Sequence, residues 1–248
     1  MQGQHADPPA RTRRTRRARG HPVRLRHHHQ PPARLRPKSE SRSPRSERGA
    51  PPVSPPDAHP GPVLTADWAP VATPAGEFRL VPVHPERDLA MISRWMNDPV
   101  VAAFWELAGD EGVTARHLAP QLHGDSHSTP CLGVLSGTPM SYWELYRADL
   151  DRLARHYPAR PHDMGVHLLI GDGRHRGRGT GTTLLRAVTG LVLDHFPLCT
   201  RVVAEPDLRN VPSVSAFLSA GYRFSAEIEL PEKRAALMIR DRAHRTRP

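Results

Sequence analysis

With only two cysteines, Cys131 and Cys199, far apart in 248 residues, the sequence offers neither a disulfide framework nor a cysteine-based zinc site. It also lacks a long apolar run: none approaches the roughly 20 residues of a membrane span. The first residues are rich in arginine but have no apolar segment of the kind a secretory signal carries. These absences predict a cytoplasmic protein without a bound metal. The adjacent histidines His27, His28 and His29 have none of the further ligands that a metal site would need.

What is present is unevenly distributed. Residues 1–75 hold 15 of the 28 prolines and 14 Lys and Arg against 5 Asp and Glu, so nearly all of the formal charge of +10 sits there. Few apolar residues in this stretch fall into a helical or strand period, and it buries too little surface to offset its ordering entropy. The composition predicts a disordered Arg/Pro-rich tail over 1–75 and one folded domain over 76–248, long enough for a single buried core. A basic arm suits RNA, DNA or an acidic membrane, but the composition is read first as a solvated extension or the product of an upstream start site. With about +1 left for the remainder, nucleic acid is not the expected partner of the fold.

From residue 78 the apolar residues become periodic. Alternation predicts a strand over 78–83, with Pro82 placing it at an edge. Leu89, Ile92, Trp95 and Met96 share one face of a predicted helix over 86–96, stopped by Asn97-Asp98-Pro99. Residues 100–107, which carry Phe104 and Trp105, and a short helix over 114–122 form either a cleft wall or ordinary core. A hairpin follows, 131–135 and 140–146 around Ser136-Gly137-Thr138. Its alternation puts Tyr142, Glu144 and Tyr146 on one face, and Trp143 and Leu145 on the other. A helical insert is predicted over 149–156, then a strand over 166–170 and a helix over 182–193. A strand over 201–204, a helix over 213–220 closed by Gly221, and strands over 222–224, 226–230 and 235–239 complete the chain. Alternating strands and helices predict an α/β (α+β) fold around a mixed sheet.

Between the strand at 166–170 and the helix at 182–193 lies Arg176-Gly177-Arg178-Gly179-Thr180-Gly181. The turn lacks the Gly-Lys-Ser/Thr ending of an ATP-binding loop, and its spacing is not the G-x-G-x-x-G of a dinucleotide turn. Glycines at a helix N-terminus let backbone N–H groups converge on an anion. A pyrophosphate is the expected guest, although the same residues also suit a plain solvated turn.

Three features occur in order: strand, R-x-x-G-x-G turn and helix; a further strand; and Asn210-x-x-Ser213-x-x-x-Phe217-x-x-x-Gly221-Tyr222-x-Phe224. This order resembles the GNAT superfamily of acyl-CoA-dependent N-acyltransferases. The closer likeness is to its siderophore-biosynthesis branch, which acylates N6-hydroxylysine or related hydroxylated amines. That likeness rests on His127-Ser128-x-Pro130, Pro139-Met140-x-Tyr142-Trp143-Glu144-x-Tyr146 and Asp163-x-Gly165-x-His167-Leu168-Leu169-Ile170-Gly171. Val203-Ala204-Glu205-Pro206-Asp207-x-Arg209-Asn210 and Leu230-Pro231-Glu232-Lys233 extend it across about residues 78–240.

The resemblance implies a mixed, mostly antiparallel sheet with a splayed parallel strand pair, 166–170 and 201–204, flanked by helices, and acyl-CoA as co-substrate between those strands. Backbone groups of Leu168, Leu169 and Ile170 are then expected to hold the pantetheine arm. The turn, Arg176, Gly177, Arg178, Gly179, Thr180 and Gly181, is expected to hold the pyrophosphate, with Asn210, Ser213 and Phe217 completing the cofactor site. The resemblance points to Asp163 as proton acceptor and His127 as a substrate-positioning residue, with Trp105, Tyr142 and Glu144 beside the substrate. Trp105 and Trp143 are candidate walls of an acyl pocket. Many GNAT enzymes place a tyrosine, thought to protonate the leaving thiolate, where this chain has Phe217. The implied reaction acylates the hydroxylated side-chain amine of lysine or a diamine, giving a hydroxamate for iron chelation among other siderophore-pathway enzymes. Acetylation of aminoglycosides or other small amines is the enzymatic alternative, and nucleic-acid binding through the basic arm is the non-enzymatic one.

Overall fold

The computed structural model describes residues 68–124 and 126–244; the expected tail lies outside the described residues as far as residue 67. Its last residues belong to the fold. Trp68 is buried and stacks on His195, ring centroids 4.4 Å apart. Strand β1 (Val71–Thr73) pairs antiparallel with β2 (Gly76–Pro82). The folded unit therefore begins before residue 76, because one indole and a three-residue edge strand cover apolar surface that would otherwise face water.

Strands β3 (Ser128–Leu135) and β4 (Thr138–Arg147) form the predicted hairpin. Ser136 and Gly137 turn it, both at positive φ (46° and 80°), the backbone that a two-residue hairpin loop favours. The remaining strands are β5 (Met164–Ile170), β6 (Arg201–Ala204), β7 (Arg223–Glu229) and β8 (Arg234–Asp241). They form one sheet in the order β1-β2-β3-β4-β5-β6-β8-β7, antiparallel except for β5 and β6. The separate strands expected at 222–224 and 226–230 are a single strand with a register shift between Phe224 and Ala226. The helical insert expected over 149–156 is a four-residue 3-10 turn, Arg152–Arg155, capped by Asp151.

Alternation within the strands sorts side chains to two faces. Against one face packs α4 (Thr180–His195), whose Leu184, Leu185, Val188 and Val192 join Trp143, Leu145, Val166 and Val202, with Phe217 of α5 (Val211–Ser219). The opposite face takes Ile92 and Met96 of α1 (Pro85–Met96), Val101 of α2 (Pro99–Trp105) and Leu118 of α3 (Glu111–Leu118), against Tyr142 and Leu169. Trp143 is thus core, not an acyl-pocket wall. No helix among the described residues is long and apolar enough to cross a membrane.

The feature that positions the site is the β5–β6 pair. Its parallel ladder runs only from Met164↔Val202 to Gly165↔Val203. Beyond Gly165, β5 continues to Ile170 paired with β4 alone, so the two parallel strands part and leave the β6-facing edge of residues 166–170 open.

Candidate active site

A cavity of about 360 Å³ opens where β5 and β6 separate. Val166, Leu168 and Ala204 from one face of the sheet and His167 and Glu205 from the other line it together, because the strands no longer close the sheet there. Phe104, Trp105, Glu106 and Leu107 form a wall from the end of α2, and His117 reaches in from α3. Residues 100–107 and 114–122 therefore serve in both ways the sequence allowed: Val101 and Leu118 are core, and their neighbours are cavity wall.

Three ionisable side chains meet on the cavity floor through strand register. Glu144 of β4 is directly opposite His167 of β5. His167 and Glu205 each stand two residues beyond the last β5–β6 pair, Gly165↔Val203. His167 Nδ1 lies 2.8 Å from Glu144 Oε2, and its Nε2 bonds Glu205 Oε1. Glu144 Oε1 also accepts from Gln121 Nε2 (2.9 Å) and Tyr142 Oη (2.9 Å), with His117 Nε2 at 2.6 Å. Glu205 Oε2 accepts from Tyr146 Oη at 2.8 Å, and Lys233 Nζ stands 3.7 Å from Oε1. Gly165 makes the Tyr146 contact possible: a Cβ there would fall 2.1 Å from the tyrosine ring.

The charges follow from these contacts. Burial alone would push the Glu144 carboxyl up, but bonds from His117 and His167 and their charge hold it well below the ordinary carboxylate range. Burial likewise opposes a charged His167; the Glu205 charge and the bonds to both carboxylates prevail and raise it to about 10. Glu205, desolvated yet facing His167 and Lys233, falls to about 2. At neutral pH an imidazolium therefore bridges two carboxylates. Burial, then the neighbouring Glu144 and Glu205, raise Tyr142 and Tyr146, so both remain phenols and donate.

The expected acceptor, Asp163, lies elsewhere. It is fully buried at the closed end of the β5–β6 pair and is not among the cavity's lining residues. Arg201 grips both its oxygens (Nε–Oδ1 2.8 Å, Nη2–Oδ2 2.7 Å), and Oδ2 also accepts from Tyr157 Oη (2.9 Å) and the Arg160 N–H (2.8 Å). Four donors hold it, three of them at Oδ2, and no part of it borders the cavity, where the resemblance leads us to expect the proton acceptor. His127 also stands outside the lining, its ring 3.2 Å from Asp151, which does line the cavity. Trp105 and Glu144 line the cavity; Tyr142 is buried behind them, bonded to Glu144 and edge-on to the Trp105 ring.

The cofactor residues divide in the same way. Leu168, Asn210, Ser213 and Phe217 line the cavity, while Leu169 is buried in the core against α1. Asn210 caps α5 through the Ser213 N–H. The guanidinium of Arg176 is already committed, donating to the Ile170 and Gly171 carbonyls (2.8 and 3.2 Å) and to Asp98 Oδ2 (2.9 Å). These three bonds fix the entry to the turn and leave two of the five guanidinium N–H donors over. The turn itself is open. Gly177 and Gly179 have φ of 69° and 78°, and a Cβ on Gly177, Gly179 or Gly181 would meet nothing within 4 Å. Arg178 is exposed, and Thr180 begins α4, where unpaired helix N–H groups favour an anion. The residues present fit the diphosphate of a coenzyme A thioester.

In the sequence His167, Glu205 and Lys233 lie inside the motifs with no role attached to them, and His117 lies outside those motifs. One signal was available: Glu144 and His167 each interrupt an apolar run, and Glu205 directly follows one.

Comparison with known proteins agrees with this geometry. Residues 84–230 match the family model of an acetyltransferase (GNAT) domain. The lysine N-acyltransferase MbtK of Mycobacterium sp. (strain MCS) is 38% identical over 168 residues, 68% of this chain and 68% of that protein. The N(6)-hydroxylysine O-acetyltransferase of Escherichia coli is 38% identical over 167 residues, 67% of this chain; the match spans about half (52%) of that relative's length. Among solved structures, an uncharacterized protein from Bacillus halodurans superposes with a TM-score of 0.66 at 33% identity, over 71% of this chain and 90% of that one. The aminoglycoside acetyltransferase AAC(6')-Ib in complex with coenzyme A gives 0.59 at 24% identity, over 67% and 95%, a likeness of fold alone.

Proposed function

The chain belongs to the GNAT acetyltransferase family, and from that premise we propose that it transfers an acyl group from acyl-CoA to the side-chain amine of N6-hydroxylysine or a close analogue. The product is a hydroxamate of the kind that siderophores use to hold iron. The observation that carries this reading is the parting of β5 and β6 over a cavity floored by the hydrogen-bonded Glu144–His167–Glu205 chain, followed by an open glycine turn at the start of α4. The names of the two curated relatives support the choice of acceptor.

Thioester aminolysis needs an uncharged nucleophile close to the carbonyl carbon, stabilisation of the developing oxyanion, and a destination for one proton. A hydroxylamine nitrogen is less basic than an alkyl amine and is already neutral near pH 7, so it asks less of the enzyme. Glu232 is paired with Arg152 and Asp207 with Arg209, but the lining carboxylates, these two with Glu106, Asp151 and the pair on the floor, still outnumber the cavity's cations, which suits an acceptor that carries a further cation, as the α-ammonium of a lysine does. The cavity's volume of about 360 Å³ is at the small end of ligand pockets, roughly 300–1,000 Å³. The reaction belongs in the cytoplasm, where acyl-CoA is made and where an amine hydroxylase would supply the acceptor.

Release of CoA from acetyl-CoA, measured in parallel with N6-hydroxylysine, lysine, cadaverine and kanamycin, tests the reading. The highest kcat/KM is expected with N6-hydroxylysine. Turnover of kanamycin alone would replace this function with aminoglycoside acetylation.

A further inference from the structure

We propose that Glu205, held in place by His167, is the group that takes the proton shed by the attacking amine. This rests on the acyltransferase reading and assigns within it a role for which the resemblance points to Asp163.

Glu205 stands at the end of β6, on the open side of the strand pair, and lines the cavity together with Ser213 and Phe217 of α5. Its carboxylate accepts one bond at each oxygen, from His167 Nε2 and from Tyr146 Oη, with Lys233 at a looser 3.7 Å. Each oxygen can accept two, so Glu205 keeps acceptor capacity, and unlike Asp163 it borders the cavity.

In the step itself the amine nitrogen forms a bond to the thioester carbonyl carbon, and the C–S bond breaks with its electron pair going to sulfur. The proton lost by nitrogen moves to Glu205 and then on to the departing thiolate, so the enzyme ends in the protonation state in which it began. A nitrogen already bonded to that carbon is strongly acidic, and a carboxylate held low still accepts its proton. Carriage of that proton by Glu205 also accounts for catalysis without a tyrosine at Phe217.

His167 is a positioning residue. The groups facing it are Glu144 and Tyr146 from β4, Glu205 after β6 and Trp105 from α2, with His117 of α3 behind Glu144 and Lys233 behind Glu205. As an imidazolium it joins two carboxylates that would otherwise repel each other. Loss of its proton leaves them facing without a bridge.

The test uses the full chain with acetyl-CoA and N6-hydroxylysine, and calorimetry for acetyl-CoA binding. Glu205→Gln is expected to lower kcat by about 10² to 10⁴ with acetyl-CoA affinity unchanged. Glu205→Asp, which keeps the charge, should recover part of the loss. His167→Gln should lower kcat less and remove the alkaline fall in kcat expected of the wild type as pH rises toward about 10. Glu205→Gln that binds acetyl-CoA and turns over within about threefold of wild type overturns the proposal. If that variant does not fold, an unaltered alkaline limb in His167→Gln overturns it instead. Wild-type protein that binds no acetyl-CoA would instead remove the acyltransferase reading beneath it.

Discussion

Two buried carboxylate clusters sit at opposite ends of the same parallel strand pair, and they differ in what holds them. Asp163 is locked by the Arg201 fork, a tyrosine and a backbone N–H, with no face toward the cavity. Glu144 and Glu205 are joined by a histidine, a third of whose side chain is exposed, and both border the cavity. A guanidinium keeps its proton at any accessible pH and matches a carboxylate at two points, which makes a permanent fastener. An imidazolium can release its proton. The first cluster closes the strands and the second lies where they have opened. Burial of a carboxylate is therefore not by itself a mark of catalysis; the partner and the open face decide.

The comparison breaks most visibly at Asp163. Asp163→Asn leaves Arg201 buried without its counter-charge, and losing one partner of such a pair costs roughly 3–5 kcal/mol. Denaturant unfolding should show that loss, while kcat of the folded fraction stays within about threefold of wild type. A large fall in kcat without a loss of stability would return the acceptor role to Asp163.

A smaller change strikes the other cluster alone. Gly165→Ala places a methyl against the Tyr146 ring, and the forced shift should cost roughly 1–3 kcal/mol. Because Tyr146 donates to Glu205, turnover should fall as well, which distinguishes this variant from Asp163→Asn in a paired stability and rate measurement.

The finest discrimination comes from pH. His167, raised from 6.5 to about 10 in the fold, contributes stability that is complete below its ordinary value and lost as pH rises through about 10. Glu205, lowered from 4.5 to about 2, contributes stability present above its ordinary value and lost as pH falls through about 2. Arg201, raised further by its bond to Asp163, adds no alkaline decline. Thermal melts between pH 7 and about 10 should therefore decline more in wild type than in His167→Gln; equal declines would mean that His167 is not the bridging cation.

Much of the fold was legible in the sequence because local chemistry specified it. The apolar stripe of α4, the Ser136-Gly137 turn and Gly221 at the end of α5 (φ 90°) each act over a few residues. Features that depend on distant partners were not legible. Strand β1 is three residues among prolines and exists because β2 pairs with it. The turn at Arg152–Arg155 is too short to show a period. The Asp163–Arg201 pair spans 38 residues, and the Glu144–His167–Glu205 floor requires the register of three strands. The resemblance named Trp105, Glu144, Ser213 and Phe217, which line the cavity, but it could not say which acid faces the cavity and which faces a guanidinium.

A crystal structure of the protein with a coenzyme A thioester analogue bound measures the central claim directly. The account predicts the diphosphate on the turn at the start of α4 and the sulfur in the gap between β5 and β6 beside Phe217, closer to Glu205 than to Asp163. A thioester lying nearer to Asp163, or outside the gap between those strands, would contradict it.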